Sequence, residues 1–485
     1  MNLMEYEAVI GLEVHAELKT ATKIFCSCST RFGAPPNTQC CPVCMGYPGA
    51  MPAWNRQAIV LAVRAGLALQ CTVAPYSRAD RKHYFYPDLP KAYQISQEKH
   101  PLCREGRLEV SLGEKILSVG IERIHVEEDA GKLVHTADQT LVDYNRSGVP
   151  LIEIVSKPDL RSGEEAAAYL RALRGVLVRC GVSDCKMQEG SMRCDINISL
   201  RPKGSATFGT RVEIKNLNSF SFAEKAIRYE IQRQTRVLQS GERICMETRR
   251  FDEKTGTTVL MRVKECAEDY HFLPEPNLPA IRIRQQDVEA IRATLPELPA
   301  AHAARLREAY GLSGQDASYL VTEPSVAAFF EETATQTIDP KIVYTLLVGE
   351  LLPRYPAEPF SSPVSPHRLA ELASLLSEGV INRATAKKLL TRLENGDASP
   401  REIVKREGLG QISSEEQLRP IVHRVLEQNP RAVQDYWKGK TAALRSLQGR
   451  VMAATSGRAD PIVSERLLRE RLSAQATKKE DANDV

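Results

Sequence analysis

The sequence predicts an α+β fold in which a partly antiparallel sheet with a few helices is followed by a purely helical part. Up to about residue 290, several short segments alternate apolar and polar side chains, which is the period of a half-buried strand. From Asp287 onward the chain is rich in Ala, Leu, Glu and Arg at helical spacing, with almost no strand signal. At 485 residues it is too long for one hydrophobic core, so we expect two to four domains.

Two segments, Ile10–Leu18 and Ser191–Leu200, alternate strictly between apolar and polar side chains. A third alternating segment follows the second after the turn Arg201–Ser205, whose Pro and Gly indicate a hairpin. Antiparallel sheets commonly keep one polar face. The predicted polar faces carry Glu13, His15 and Glu17; Arg193, Asp195 and Asn197; and Arg211, Glu213 and Lys215.

A fourth alternating segment ends in the acidic stretch His125–Lys132 and places Arg123, His125 and Glu127 on one side. Carboxylates that converge on one sheet face repel each other unless a cation lies among them. Oxygen ligands with an occasional imidazole suit Mg²⁺, which commonly bridges to substrate phosphates. The alternative is a solvated sheet face with surface charges.

Helices are predicted behind two capping boxes, Ser162–Glu165 and Ser221–Glu224, and the second helix is expected to end near Gly241. Five prolines between Pro353 and Pro366 predict a long connection. Helices are then expected to about Ala476, followed by a charged, disordered tail over residues 477–485.

Four cysteines form two close pairs, Cys26-x-Cys28 and Cys41-x2-Cys44, separated by twelve residues. Four thiolates from two short loops can complete a tetrahedral shell around a structural Zn²⁺. Cys40 is left over, because adjacent cysteines rarely bind one ion together. The alternative is a set of buried thiols without metal.

Net positive charge is concentrated near the C-terminus. Residues 401–480 hold 16 Lys/Arg and 10 Asp/Glu, a surplus of 16 − 10 = +6. Such a region indicates a polyanionic partner, although a solvated helical surface has the same composition. The N-terminus lacks the basic residues of a targeting peptide, and the apolar runs are too short to span a bilayer, so we expect a cytoplasmic protein, or one in an organelle after loss of its targeting segment, with no membrane contact.

Several catalytic motifs are missing from the sequence. It has no G-x4-G-K-[ST] loop and no kinase G-x-G-x-x-G, which excludes ATP chemistry of the P-loop or protein-kinase type. It has no G-x-S-x-G elbow either, which disfavours a self-contained hydrolase.

Long motifs along nearly the whole chain resemble the family formed by the B subunit of the aspartyl/glutamyl-tRNA amidotransferase. They are Gly11–Thr20, Cys41–Cys44, Tyr84–Lys91, Val126–Lys132, Val142–Val155, Glu189–Asp195, Thr210–Ser219, Asp269–Pro279 and Gln448–Thr455. The resemblance implies a glutamine synthetase/guanido-kinase-like cradle over residues 1–292 with a zinc loop at 26–44. It further implies a helical linker domain over residues 293–406 and a helical, tRNA-binding tail domain over residues 407–476.

The resemblance also implies a reaction. With ATP and Mg²⁺, the cradle would phosphorylate the side-chain carboxylate of Glu-tRNA(Gln) or Asp-tRNA(Asn). Ammonia from an amidase, the A subunit of a heterotrimer that also contains a small C subunit, would then displace the phosphate. Matched to the family motifs, the metal and phosphate roles fall on Glu13, His15, Glu127, Glu128, Asp195 and Glu213. Lys82 would lie at the mouth of an ammonia channel, and Zn²⁺ would be held by Cys26, Cys28, Cys41 and Cys44.

Two other functions fit parts of the sequence. A non-catalytic tRNA-binding scaffold would not need the six metal-binding side chains, which are all present. A free-standing small-molecule kinase would explain neither the basic C-terminal region nor the absence of an ammonia-producing site.

Overall fold

The computed structural model of the protein describes residues 5–113, 115–263, 270–357, 359–394, 396 and 398–481. The chain forms two compact units that divide between Arg305 and Leu306. None of the helices within these described ranges is long and apolar enough to cross a membrane.

The strands lie in the first unit. They are β1 (Tyr6–Glu17), β2 (Thr72–Val73), β3 (Tyr76–Ser77), β4 (Asp80–His83), β5 (Tyr93–Ser96), β6 (Cys103–Leu112), β7 (Lys115–Glu128), β8 (Lys132–His135), β9 (Thr140–Asp143), β10 (Pro150–Ser156), β11 (Met192–Pro202), β12 (Val212–Leu217), β13 (Glu247–Asp252), β14 (Thr257–Val263), β15 (His271–Pro274) and β16 (Ile281–Arg282).

The helices are α1 (Arg56–Ala68), α2 (Gly163–Arg179), α3 (Phe220–Gln239), α4 (Gln285–Arg292), α5 (Pro299–Tyr310), α6 (Gly314–Leu320), α7 (Pro324–Ala334), α8 (Pro340–Leu346), α9 (Pro366–Ser377), α10 (Arg383–Leu393), α11 (Pro400–Glu407), α12 (Glu415–Gln428), α13 (Pro430–Trp437), α14 (Thr441–Ala454) and α15 (Pro461–Asp481). A 3₁₀ turn at Met187–Glu189 and a π-helical turn at Leu347–Leu351 are also present.

A nine-stranded sheet in the order β14-β13-β12-β11-β1-β10-β7-β6-β2 forms the centre of the first unit. The predicted hairpin is confirmed, since β11 and β12 pair antiparallel, with Asn197 opposite Glu213. The sheet is mixed rather than purely antiparallel, because β12 and β13 run parallel and are joined through α3. The sequence therefore predicts the α+β class correctly, but the parallel pair emerges only in the structure.

The two faces of this sheet differ in chemistry. Leu12 and Val14 of β1 and Ile196 of β11 belong to a buried apolar cluster that also contains residues of α1, α2 and α3. The alternate positions of the same strands carry the polar side chains predicted from the sequence. We call this second surface the polar face; Ser96, at the end of β5, reaches it through a hydrogen bond to Glu127.

The helix starts agree with the sequence in one case and differ in the other. Ser162 caps α2 as predicted, its Oγ accepting the Glu165 N–H at 3.2 Å. The predicted capping box at Ser221 is wrong, because Ser219 caps α3 and accepts the Phe222 N–H at 3.1 Å. The end of α3 is as predicted, with Gly241 in the left-handed region at φ +81°.

Helical composition begins before the first unit ends. The predicted first domain ends at residue 292, and α4, which ends there, packs against the core of the sheet unit through Val288 and Ile291; Leu295, beyond that boundary, packs against the same core. In the second unit, a separate apolar cluster spans Leu418 to Leu472, within the predicted tail domain. The helix α15 continues to Asp481, into the segment from residue 477 that the sequence predicts as a disordered tail; residues 482–485 lie outside the described chain.

Candidate active site and metal centre

Five neighbouring strands, β12-β11-β1-β10-β7, bring the predicted site residues of the polar face together. In the register of β1, β10 and β11, Glu13 lies opposite Asp195, and His15 lies between Glu153 and Arg193. On the next strand, β7, His125 is paired with Glu153 and Glu127 with Leu151. Because paired residues in an antiparallel sheet share a face, these side chains converge on one surface.

Two histidines and two carboxylates form the first group, which we call the histidine–carboxylate group: His15, His125, Glu127 and Glu153. His15 Nε2 lies 3.4 Å from Glu127 Oε1 and 3.3 Å from Glu153 Oε2. His125 Nε2 lies 3.5 and 3.4 Å from the same two carboxylates. Ser96 Oγ donates to Glu127 Oε2 at 3.0 Å, so this carboxylate is fixed from a second side.

The electrostatics of this group favour opposite charges. Burial by itself lowers the pKa of His15, but the hydrogen bonds and charges of Glu127 and Glu153 outweigh it and raise that pKa to about 10. The same balance raises the pKa of His125 to about 9. Burial raises the pKa of Glu127, yet the two imidazoles outweigh it and hold the pKa well below its usual range. The group therefore holds buried, mutually compensating charges and is not a set of solvated surface acids.

Three carboxylates form the second group, which we call the acidic triad: Glu13, Asp195 and Glu213. Each offers an oxygen within 4.8 Å of the other two. The ammonium of Lys215 lies among them, 2.6 Å from Asp195 Oδ2 and 2.9 Å from Glu213 Oε1. Burial and the charges of Glu153, Asp195 and Glu213 raise the pKa of Glu13. Such a concentration of negative charge requires a cation, and Lys215 supplies one.

A third set of side chains borders the histidine–carboxylate group. Arg193 Nη2 donates to Asp129 Oδ2 at 2.9 Å, and Arg146 Nε approaches the same oxygen at 3.6 Å. Burial and the neighbouring Asp129 raise the pKa of Glu17 to about 8. Carboxyls and guanidiniums thus alternate along this edge of the polar face.

Two predicted site residues lie elsewhere. Glu128 follows Glu127 on the same strand and so points to the opposite side, where its carboxylate accepts the Ile95 N–H at 2.8 Å and pairs with Lys91 at 2.6 Å. The structure therefore does not bring Glu128 into either group, because successive residues of a regular strand alternate between faces. Lys82 lies on β4, with its ammonium 4.4 Å from the centre of the Tyr270 ring.

Sequence reasoning missed Glu153. It lies in β10, whose seven residues are all buried, and it interrupts a run of apolar side chains. An isolated acid within a fully buried strand was the available signal, since an ionised carboxylate there must be paired or bind a cation.

The four cysteines predicted as zinc ligands come together as a separate group. The sulfurs of Cys26, Cys28, Cys41 and Cys44 all lie within 4.8 Å of one another, and Cys40 is not among them. The thiol of Cys26 and the Cys41 N–H stabilise the Cys44 thiolate against burial and lower its pKa to about 4. The fully buried ammonium of Lys23 lies 3.6 Å from Cys44 Sγ. A four-sulfur set with a thiolate and a nearby cation fits a closed structural zinc site.

Glu128 faces this cysteine group rather than the polar face. A cavity of about 210 Å³ is lined by Glu128, Lys91, Lys23 and the cysteines Cys26 and Cys44. The Lys91–Glu128 ion pair is almost fully buried, with side chains 10% and 2% exposed. The neighbouring residues Glu127 and Glu128 thus belong to two different sites, because they lie on opposite sides of β7.

Comparison with known proteins identifies the family. Two family models match the chain, "GatB/GatE catalytic domain" over residues 8–289 and "GatB domain" over residues 328–472. The B subunit of the aspartyl/glutamyl-tRNA(Asn/Gln) amidotransferase of Caldanaerobacter subterraneus subsp. tengcongensis is 51% identical over 474 residues, which cover 97% of this chain and 100% of that protein. Proteins of the same name from Geobacillus kaustophilus and Clostridium tetani are 51% and 48% identical, over 97% and 98% of this chain and 99% and 100% of theirs. The chain therefore belongs to the family formed by the B subunit of the aspartyl/glutamyl-tRNA(Asn/Gln) amidotransferase.

Proposed function

We propose that this chain uses ATP to activate the side-chain carboxylate of Glu-tRNA(Gln), Asp-tRNA(Asn) or both, and amidates it with ammonia from a partner glutaminase. The observation that carries the proposal is the pair of adjoining ligand groups on one sheet face, the histidine–carboxylate group and the acidic triad. The substrate class follows the name that the relatives share. The fold proposed for this unit is a cradle of the glutamine synthetase/guanido-kinase kind.

Both groups offer the hard oxygen ligands that suit Mg²⁺, and the histidine–carboxylate group adds the imidazole of His15. Glu13, Asp195 and Glu213 would hold one ion, and His15, Glu127 and Glu153 would hold another. Bound there, Mg²⁺ would neutralise the charge of the phosphoryl oxygens of ATP. The proton on His15 and the ammonium of Lys215 now supply the positive charge in the two groups. Metal binding would therefore displace the His15 proton and move Lys215 out of the triad.

The proposed chemistry has two steps. An oxygen of the side-chain carboxylate attacks the γ-phosphorus of ATP, the bond to the β-γ bridging oxygen breaks, and ADP leaves. The nitrogen of ammonia then attacks the acyl carbon, phosphate leaves, and the surplus proton of nitrogen passes to the phosphate. Phosphorylation is needed because oxide is a poor leaving group from a carboxylate, whereas phosphate is a good one. The polar face would hold both anionic reactants in line, and positioning of this kind supplies much of the catalysis in phosphoryl transfer.

The rest of the chain is assigned roles by the same proposal. Residues 293–406 link the cradle to a tail over residues 407–476 that binds tRNA, supported by the basic surplus of that region. Lys82 would border the path of ammonia, and Zn²⁺ held by the four cysteines would fix the loop 26–44. An amidase, which is the A subunit, would release the ammonia and would complete a cytoplasmic heterotrimer together with a small C subunit.

The test supplies purified protein with ATP, Mg²⁺, free ammonia and misacylated tRNA, which bypasses the glutaminase. One ADP should form for each amide. ADP formation with free glutamate or aspartate would instead indicate a small-molecule kinase. Tight tRNA binding with no ADP from any acceptor would indicate a scaffold and contradict the proposal.

A further inference from the structure

One cation of the polar face lies beside both ligand groups. Arg193 is two residues from Asp195 on β11, and its cross-strand partner on β1 is His15. Its side chain is 33% exposed, so it borders both the buried groups and solvent. A guanidinium at this position can reach a reactant that is held between the two groups.

Arg193 is anchored by one edge only. Its Nη2 donates to Asp129 Oδ2 at 2.9 Å, and Asp129 is itself buried and fixed by the Ala130 N–H at 2.8 Å to Oδ1. Asp129 takes one hydrogen of Nη2, so Nε, Nη1 and the second hydrogen of Nη2 have no hydrogen-bond partner among the residues that the structure describes. The anchor thus holds the guanidinium in place while leaving its other edge available.

The cations that lie within the two ligand groups are engaged. Lys215 is held between Asp195 and Glu213. His15 is held between Glu127 and Glu153. Arg123 lies two strands away from β1 and pairs with its neighbour Glu122 at 3.2 Å.

We propose that Arg193 binds the side-chain carboxylate of the aminoacyl group, the phosphoryl acceptor; this assignment rests on the proposed function. Both reactants of the first step are anions, and the two ligand groups are suited to the cations that accompany ATP, which leaves the carboxylate without a positive partner. The planar guanidinium fork matches a carboxylate with two parallel hydrogen bonds, which an ammonium cannot do. Arg193 would therefore distinguish the charged substrate side chain from the neutral amide of the product.

The experiment compares two tRNAs that differ only in this charge. The full chain, in the complex with which it purifies, is titrated with Glu-tRNA(Gln) and with Gln-tRNA(Gln) in Mg²⁺ without ATP. Wild type should bind the glutamate form on the order of 10-fold more tightly, as expected for a charge-assisted hydrogen bond. Arg193→Gln should abolish that preference while its affinity for Gln-tRNA(Gln) stays unchanged, and Arg193→Lys should retain part of it. Arg201→Gln is the matched control, since Arg201 lies on the same strand and face but pairs with Glu7.

The outcomes separate this assignment from the proposed function. If Arg193→Gln keeps the full preference for Glu-tRNA(Gln) over Gln-tRNA(Gln), the assignment is wrong. A higher KM for ATP in this variant, with that preference retained, would show that the guanidinium binds nucleotide instead. A wild type that forms ADP but has no preference overturns the assignment alone. A wild type that forms no ADP with misacylated tRNA overturns the proposed function as well. If Arg193→Gln does not fold, the same comparison is made with Arg193→Lys. An unchanged preference for Glu-tRNA(Gln) in that variant, which lacks the guanidinium, would refute bidentate binding.

Discussion

Replacing Asp195 by Asn tests the acidic triad with the smallest change in shape. The triad holds three carboxylates around Lys215, and the substitution removes one of the three negative charges while keeping the volume and one acceptor oxygen. The ion pair that is lost is partly exposed, with side chains 39% and 19% accessible, so it contributes only about 0–1 kcal/mol to the free energy of unfolding. The melting temperature should therefore change by no more than about 3 °C.

The effect on the reaction should be much larger. A unit charge about 4 Å from a reacting charge contributes about 4 kcal/mol at an effective dielectric constant of about 20. The ligand oxygens of the triad lie within 4.8 Å of one another, so a phosphate held through an ion among them would be at comparable range. Losing about 4 kcal/mol of transition-state stabilisation lowers the rate about 1,000-fold.

The assay follows ADP release and amide formation with misacylated tRNA and free ammonia, and measures tRNA affinity separately. Asp195→Asn should lose both products while binding tRNA as wild type does. Glu7→Gln serves as control, because Glu7 lies on the same face and pairs with Arg201 at 2.7 Å but belongs to neither group. Wild-type rates in Asp195→Asn would show that Asp195 is a surface acid and that the triad takes no part in phosphoryl transfer.

Three further predictions concern the cysteine group and the tail. Cys44→Ser should lose the single zinc per chain, measured by metal analysis, and lower the melting temperature, because a structural zinc contributes folding free energy; a metal-free wild type would contradict this. Lys23→Met should weaken zinc affinity about 10- to 100-fold in chelator competition, since the buried ammonium that offsets the thiolate charge is lost, and equal affinities would refute that role. A chain ending at Gly408, the C-cap of α11, should bind tRNA more weakly and with a flatter dependence on salt, because fewer counterions are released; an unchanged slope would place the phosphate contacts elsewhere.

Much of the candidate site follows from local sequence patterns. Strand alternation groups Glu13 with His15, and Asp195 with Asn197, because side chains of one strand repeat every two residues whatever the strand pairs with. The spacing of the two cysteine pairs predicts that the four sulfurs come together, because each pair already places two sulfurs on one short loop. These features depend on a few neighbouring residues, which the sequence specifies directly.

The sequence by itself therefore determined the α+β class, the polar faces of the strands and the cysteine group. Tertiary structure alone decided that β10 lies between β1 and β7, which brings Glu153 to His15 and completes the first ligand group. It also decided that Glu128 turns to Lys91, and that Asp129 leaves one edge of Arg193 open. These contacts join residues from about 37 to 138 positions apart, and they arise from strand pairing and burial, which local alternation does not encode.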